Sequence, residues 1–112
     1  MTERESMSVE HAPHFAALAD DIVDWGERFL RVLDDCGAEA AQQVLGGIAE
    51  WLGTDLVDAM PVMDMEQWLL LDGLAEELFQ SCRACISGTA DAGALVVAVI
   101  ARVREIRDPV TN

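Results

Sequence analysis

The sequence predicts an all-α protein, a small antiparallel bundle of about four helices with the second kinked or broken. Three observations carry that prediction. Apolar side chains recur at alternating spacings of three and four along most of the 112 residues, the period of helices with one face turned inward. Gly, Pro and capping residues interrupt the rhythm at intervals suited to single helices. Only Val96 to Ile100 has the β-branched density of a strand, and nothing else in the chain offers it a partner. A hydrophobic content of 52% with mean hydropathy +0.20 separates the chain from disordered sequences of similar charge. The expected organisation is a flexible segment over residues 1–12, one bundle domain over 13–108 and a tail over 109–112.

The first helix is expected from Pro13, which a first helical turn tolerates. Phe15, Leu18, Ile22, Trp25, Phe29, Val32 and Cys36 form one inward row, with Ala16, Ala19, Val23, Gly26, Leu30 and Leu33 beside it. The positions between are nearly all charged, among them Asp20, Asp21, Asp24, Glu27, Asp34 and Asp35. Four apolar positions in every seven describe a helix packed against at least two neighbours. Gly37 is placed to end it as a C′ glycine.

A second helix is expected over residues 38–52, with Ala41, Leu45, Ile48 and Leu52 on one face. Gly46 and Gly47 in its middle each cost about 1 kcal/mol relative to Ala, which points to a kink or to another backbone passing close by. Gly53 stops it. Thr54 is then placed to cap a short turn over Asp55 to Ala59, ahead of Pro61.

The third helix has the clearest start. Asp64 and Gln67 are spaced as a capping box, and Met63 and Trp68 as a hydrophobic staple. Trp68, Leu71, Ala75, Leu78, Cys82 and Cys85 continue inward, and Ser87 with Gly88 closes the helix. Thr89 reads as the cap of the last helix, whose inner face is Ala92, Val96, Val99, Val103 and Ile106. Leu95, Val97 and Ile100 make it apolar almost all round, as in a central helix or one that pairs with a second copy of itself. Arg102, Arg104 and Arg107 near its end complement the helix dipole.

Charge narrows the function. Acids outnumber bases by 21 to 7, all seven bases are Arg, and the net charge is −14. Residues 1–77 hold 18 acids and 3 arginines, whereas residues 78–112 hold 3 acids and 4 arginines. Such a field repels phosphate backbones and anionic lipid and attracts basic protein surfaces. No direct nucleic-acid binding and no membrane association are therefore expected. The opening residues carry no apolar signal stretch, and the longest apolar run is too short to span a bilayer. Three cysteines exclude a complete disulfide framework, so a cytoplasmic protein with reduced thiols is expected.

Candidate chemistry is sparse. Cys82 and Cys85 form a C-x-x-C near a helix C-terminus, where the dipole raises rather than lowers a thiol pKa. Core packing accounts for both, and for Cys36. The alternative is a thiolate site: helices one and three run parallel in such a bundle, so Cys36, Cys82 and Cys85 at their ends could share a Cu(I) or Zn²⁺ ion. His11 and His14, with Glu10, flank the expected helix start and read as surface residues. No Gly-rich phosphate loop, no inward carboxylate–histidine set and no nucleophile–histidine pair is present. Neither a cofactor nor catalysis is expected.

The outer carboxylates Asp20, Asp21, Asp24, Glu27, Asp34 and Asp35 are the main functional lead. A rigid helix carrying such a row can enter a basic groove, as inhibitors, immunity proteins and antitoxins do. The expected function is a small acidic interaction module, of inhibitor, antitoxin or adaptor type, docking on a basic partner and pairing with its own copy through the last helix.

Overall fold

The computed structural model describes the backbone of residues 2–107 and the side chains of residues 14–107. Four long helices make up nearly all of it: α1 (Thr2–Cys36), α2 (Ala38–Gly53), α4 (Met65–Ile86) and α5 (Ala92–Arg107). A single turn, α3 (Asp55–Ala59), and a 3₁₀ turn over Met60–Val62 join α2 to α4. There is no strand among the described residues, and Val96 to Ile100 is helical. Helix α1 starts earlier than Pro13, which stands inside it. Residues 2–12 contain no helix breaker. The tail, including Pro109, lies outside the described residues.

The four helices form a ring. α1 packs on α2 and α5, α4 packs on α5 and α2, and α1 meets α4 across the middle. Pairs across the seams show that ring neighbours run antiparallel. Asp20 meets Arg107 and Glu27 meets Arg104 between α1 and α5, and Asp21 meets Trp51 while Trp25 meets Gly47 between α1 and α2. The core is drawn largely from the predicted inward rows, joined by Trp51, Leu56, Leu74 and Ile100. Ile22, Phe29, Ile48, Leu71, Leu78, Val96, Val99 and Val103 are all buried, each contributing about 1.5–3 kcal/mol of transfer free energy. Cys36 departs from its row. It is the last residue of α1, beyond the cover of the neighbouring helices, and it is exposed.

Local signals explain most helix ends. Gly37 has φ 92° and ψ 179°, a conformation available essentially only to glycine, and its N–H closes α1 on the Leu33 carbonyl at 3.1 Å. Gly37→Ala is expected to lower stability by upwards of about 1 kcal/mol, read as a shift of the urea midpoint. No neighbour lies within 4 Å of its added methyl, so the loss would report backbone conformation alone. Asp64 caps α4 by accepting the Gln67 N–H at 3.2 Å, as its spacing predicted, with Met63 buried beside it. At the other end Gly88 (φ 82°) and Thr89 donate to the Cys85 and Ala84 carbonyls, a Schellman closure.

Two caps differ from expectation. Thr54 does not cap α3: its hydroxyl donates back to the Glu50 carbonyl at 2.8 Å, finishing α2. Thr89 uses its N–H to close α4, and α5 begins three residues later at Ala92. Helix α2 is bent by 27°. Gly46 is open to space, but a Cβ on Gly47 would lie 2.8 Å from the Trp25 ring. Of the two expected accounts of the glycine pair, the structure shows the bend, and the close neighbour at Gly47 is an indole and not another backbone.

The α2–α4 connection is tied down by Trp68, whose Nε1–H donates to the Leu56 carbonyl at 2.7 Å. Leu56 itself is fully buried. This holds α3 against α4 and sets Asp55 beside the end of α2. No helix among the described residues is long and apolar enough to cross a membrane.

Candidate functional site

The arginines of α5 divide the acidic row of α1. Arg104 pairs with Glu27, Arg107 with Asp20 at 2.9 Å, and Arg102 with Glu77 on α4. The last helix therefore clasps both neighbours with its basic residues, so Asp20 and Glu27 belong to a seam and not to a free face. The Arg107 hydrogen bond holds the Asp20 carboxyl below its ordinary pKa. All three pairs stand partly in water, where such contacts contribute about 0–1 kcal/mol each.

Asp21 has a different role. Half-buried where α1 meets the end of α2, its carboxylate accepts the Trp51 Nε1–H at 3.2 Å. Desolvation pushes its pKa up, more than the indole hydrogen bond pulls it down, and the carboxylates of Asp55, Asp24 and Asp20 push the same way. An acid with a raised folded-state pKa penalises the native state at pH values above that pKa and ceases to do so once both states are protonated. Asp21→Asn keeps an acceptor for Trp51 and removes the charge. It is expected to stabilise the protein at pH 7, with the gain shrinking as pH falls through the raised pKa towards 3.8. Urea unfolding at several pH values reads this directly. A stability loss at pH 7 would show that the ionised carboxylate supports the fold.

Asp24, Asp34 and Asp35 remain exposed, and none forms an ion pair among the described residues. Asp24 also borders a crevice between α1 and the end of α2, of about 220 Å³, together with Asp21, Trp25, Arg28, Trp51 and Asp55. The helical repeat explains half of this grouping: Asp21, Trp25 and Arg28 share one face of α1 at spacings of four and three. Gly47 lets the Trp25 ring lie against α2, and the turn after Gly53 brings in Asp55. An adjoining hollow of about 310 Å³ shares Trp25, Trp51 and Asp55 and adds Glu50. Arg28 lies over the Trp25 ring, 5.1 Å from its centre. The sequence placed Trp25 in the inward row of α1 and gave no sign that it meets Trp51. Their joint wall with three aspartates depends on how α1 and α2 are rotated against each other.

The three thiols are not brought together. Cys82 is buried, Cys85 half-buried and Cys36 exposed. Among the described residues no three His, Cys, Asp or Glu side chains are grouped so as to hold a metal ion. Burial pushes the Cys82 thiol up to about 12, with the neighbouring Cys85 adding to it, and burial also raises Cys85. Both are thus protonated at neutral pH and poor as nucleophiles. His14 is exposed, while the side chains of Glu10 and His11 lie outside the described residues.

A second concave surface runs between α4 and α5, a groove of about 450 Å³ floored by Leu69, Leu70, Leu74 and Ile106 and edged by the Glu77–Arg102 pair. On α5 itself Leu95 and Val97 point outward, each more than half exposed. No protein family model, curated protein or solved structure matches this chain.

Proposed function

We propose that this is a small acidic interaction protein that docks on a positively charged surface of another protein, acting as an inhibitor, antitoxin-type or adaptor module without catalysing a reaction. One observation carries the reading: among the described residues, Asp24, Asp34 and Asp35 stand exposed and without an ion pair along a single helix. The net charge of −14 exceeds the roughly 2–8 charges that keep a small domain soluble. A field of this sign steers basic partners and repels nucleic acid, and the cytoplasm is the compartment that suits reduced thiols. The exposed Leu95 and Val97 favour a second contact, in which α5 pairs with its own copy. Sedimentation at micromolar concentration tests it, and a clean monomer removes it.

The docking reading is tested by affinity capture from the cells that make the protein, at ~0.15 M salt. Capture of a basic protein is expected with the wild type. It should be lost with the combined Asp24→Asn, Asp34→Asn and Asp35→Asn variant, whose thermal unfolding stays unchanged. These three positions are chosen because Asp20, Asp21 and Glu27 also make contacts between helices. Undiminished capture by the neutralised protein would overturn the reading.

A further inference from the structure

We infer that the crevice between α1 and the end of α2 receives an arginine side chain of the docked partner, whose guanidinium lies against Trp25 beside the buried Trp51 and pairs with Asp24 and Asp55. This rests on the docking proposed above and names its anchor point.

The chemistry of the walls carries the argument. Indole faces attract cations, and a planar guanidinium can stack on them while presenting its N–H groups to carboxylates in the ring plane. Here two indoles and the carboxylates Asp21, Asp24 and Asp55 share one concavity, with Glu50 at the edge of the adjoining hollow. The crevice already shows the recognition in miniature, since the guanidinium of Arg28 stands over the Trp25 ring at 5.1 Å. Arg28 is exposed and makes no ion pair among the described residues, so a partner's arginine can displace it without disturbing the core. The Trp51 indole is fixed by its hydrogen bond to Asp21 and by burial, and the Trp25 ring by its seat on Gly47. Both surfaces are therefore organised before a ligand arrives, which reduces the entropy lost on binding.

The test uses the full chain and blocked tripeptides, Gly-Arg-Gly, Gly-Lys-Gly and Gly-Gln-Gly, titrated to ~10 mM, a range that resolves weak single-residue binding. The indole N–H signals of Trp25 and Trp51 are followed by NMR, with Trp68 as the reference outside the crevice. The arginine peptide is expected to shift Trp25 and Trp51 saturably. Its affinity should fall about tenfold in the combined Asp24→Asn and Asp55→Asn variant, both positions being exposed and safe for folding. Arg28→Gln is expected to tighten binding by clearing the ring face. Absence of a shift, an equal response to the lysine or glutamine peptide, or unchanged affinity in the aspartate variant would each overturn the inference. Weaker binding by Arg28→Gln would overturn the exchange, because Arg28 would then belong to the receptor. If the peptide fails to bind while a basic partner is still captured in a salt-sensitive way, the anchor is wrong and the docking stands. If the peptide binds and no basic partner is captured, the crevice stands and the proposed role falls.

Discussion

Phe29→Ala is expected to cost about 3–5 kcal/mol, the largest effect of any single truncation considered for this fold. Phe29 is the largest fully enclosed side chain and sits about two turns before the end of α1, a helix that touches all three other long helices. Removing its ring leaves a cavity that rigid flanking helices can close only in part, so lost transfer free energy and cavity cost add. A domain of this size has a total stability of about 5–15 kcal/mol, and the variant would sit near the edge of folding. Urea denaturation should show a much lower midpoint with an unchanged slope. Phe15→Ala, at a half-buried position of the same row, should cost distinctly less. Equal losses at the two sites would mean that α1 is not seated as described.

The second large effect is expected at Gly26, where α1 lies close against Ile100 of α5. A Cβ there would lie 2.8 Å from Ile100 Cγ1 and Cδ1 and 3.2 Å from Leu78. Glycine inside a helix gives up about 1 kcal/mol relative to Ala, and the space it leaves is what allows the helices to close. Gly26→Val overfills that space and is expected to destabilise by about 1–3 kcal/mol. Ile100→Ala alone is also destabilising, because Ile100 is buried. Combined, the two changes should cost less than their sum, since the shortened side chain makes room for the new one. A double-mutant cycle showing simple additivity would place the clash elsewhere.

How much was legible in the sequence depended on whether a signal was local. The inward rows of α1, α2 and α4, the Asp64 cap, the Gly37 end and the Gly88 closure all depend on residues within a turn or two of each other. They were found where periodicity and capping chemistry put them. Thr54 and Thr89 show the limit of that reasoning. Each follows a helix that can use the same residue for its own ending, and the preceding helix won both times.

The candidate site was less visible. Periodicity marks Asp20, Asp21, Asp24 and Glu27 alike as outward, yet one is half-buried under an indole and two are taken by α5. Those fates depend on the rotation of α1 against α2 and α5, which a hydrophobic pattern leaves open by tens of degrees. Cys36 is parted from Cys82 and Cys85 for another reason, its place as the last residue of α1. Their helices do run parallel, as the topology predicted, but Cys36 stands exposed while Cys82 is enclosed. The clustering of Trp25, Trp51 and Asp55 had only one trace in the sequence, a glycine at position 47 that helix propensity alone disfavours.

Dissociation constants for the captured basic partner, measured from ~0.1 M to ~1 M salt as the Debye length shrinks from about 10 to about 3 Å, probe the docking role most directly. Affinity that weakens steeply over this range, with a shallower slope once Asp24, Asp34 and Asp35 are amides, is the predicted result. Equal affinity at both ends of the range would mean that the carboxylates of α1 take no part in partner recognition.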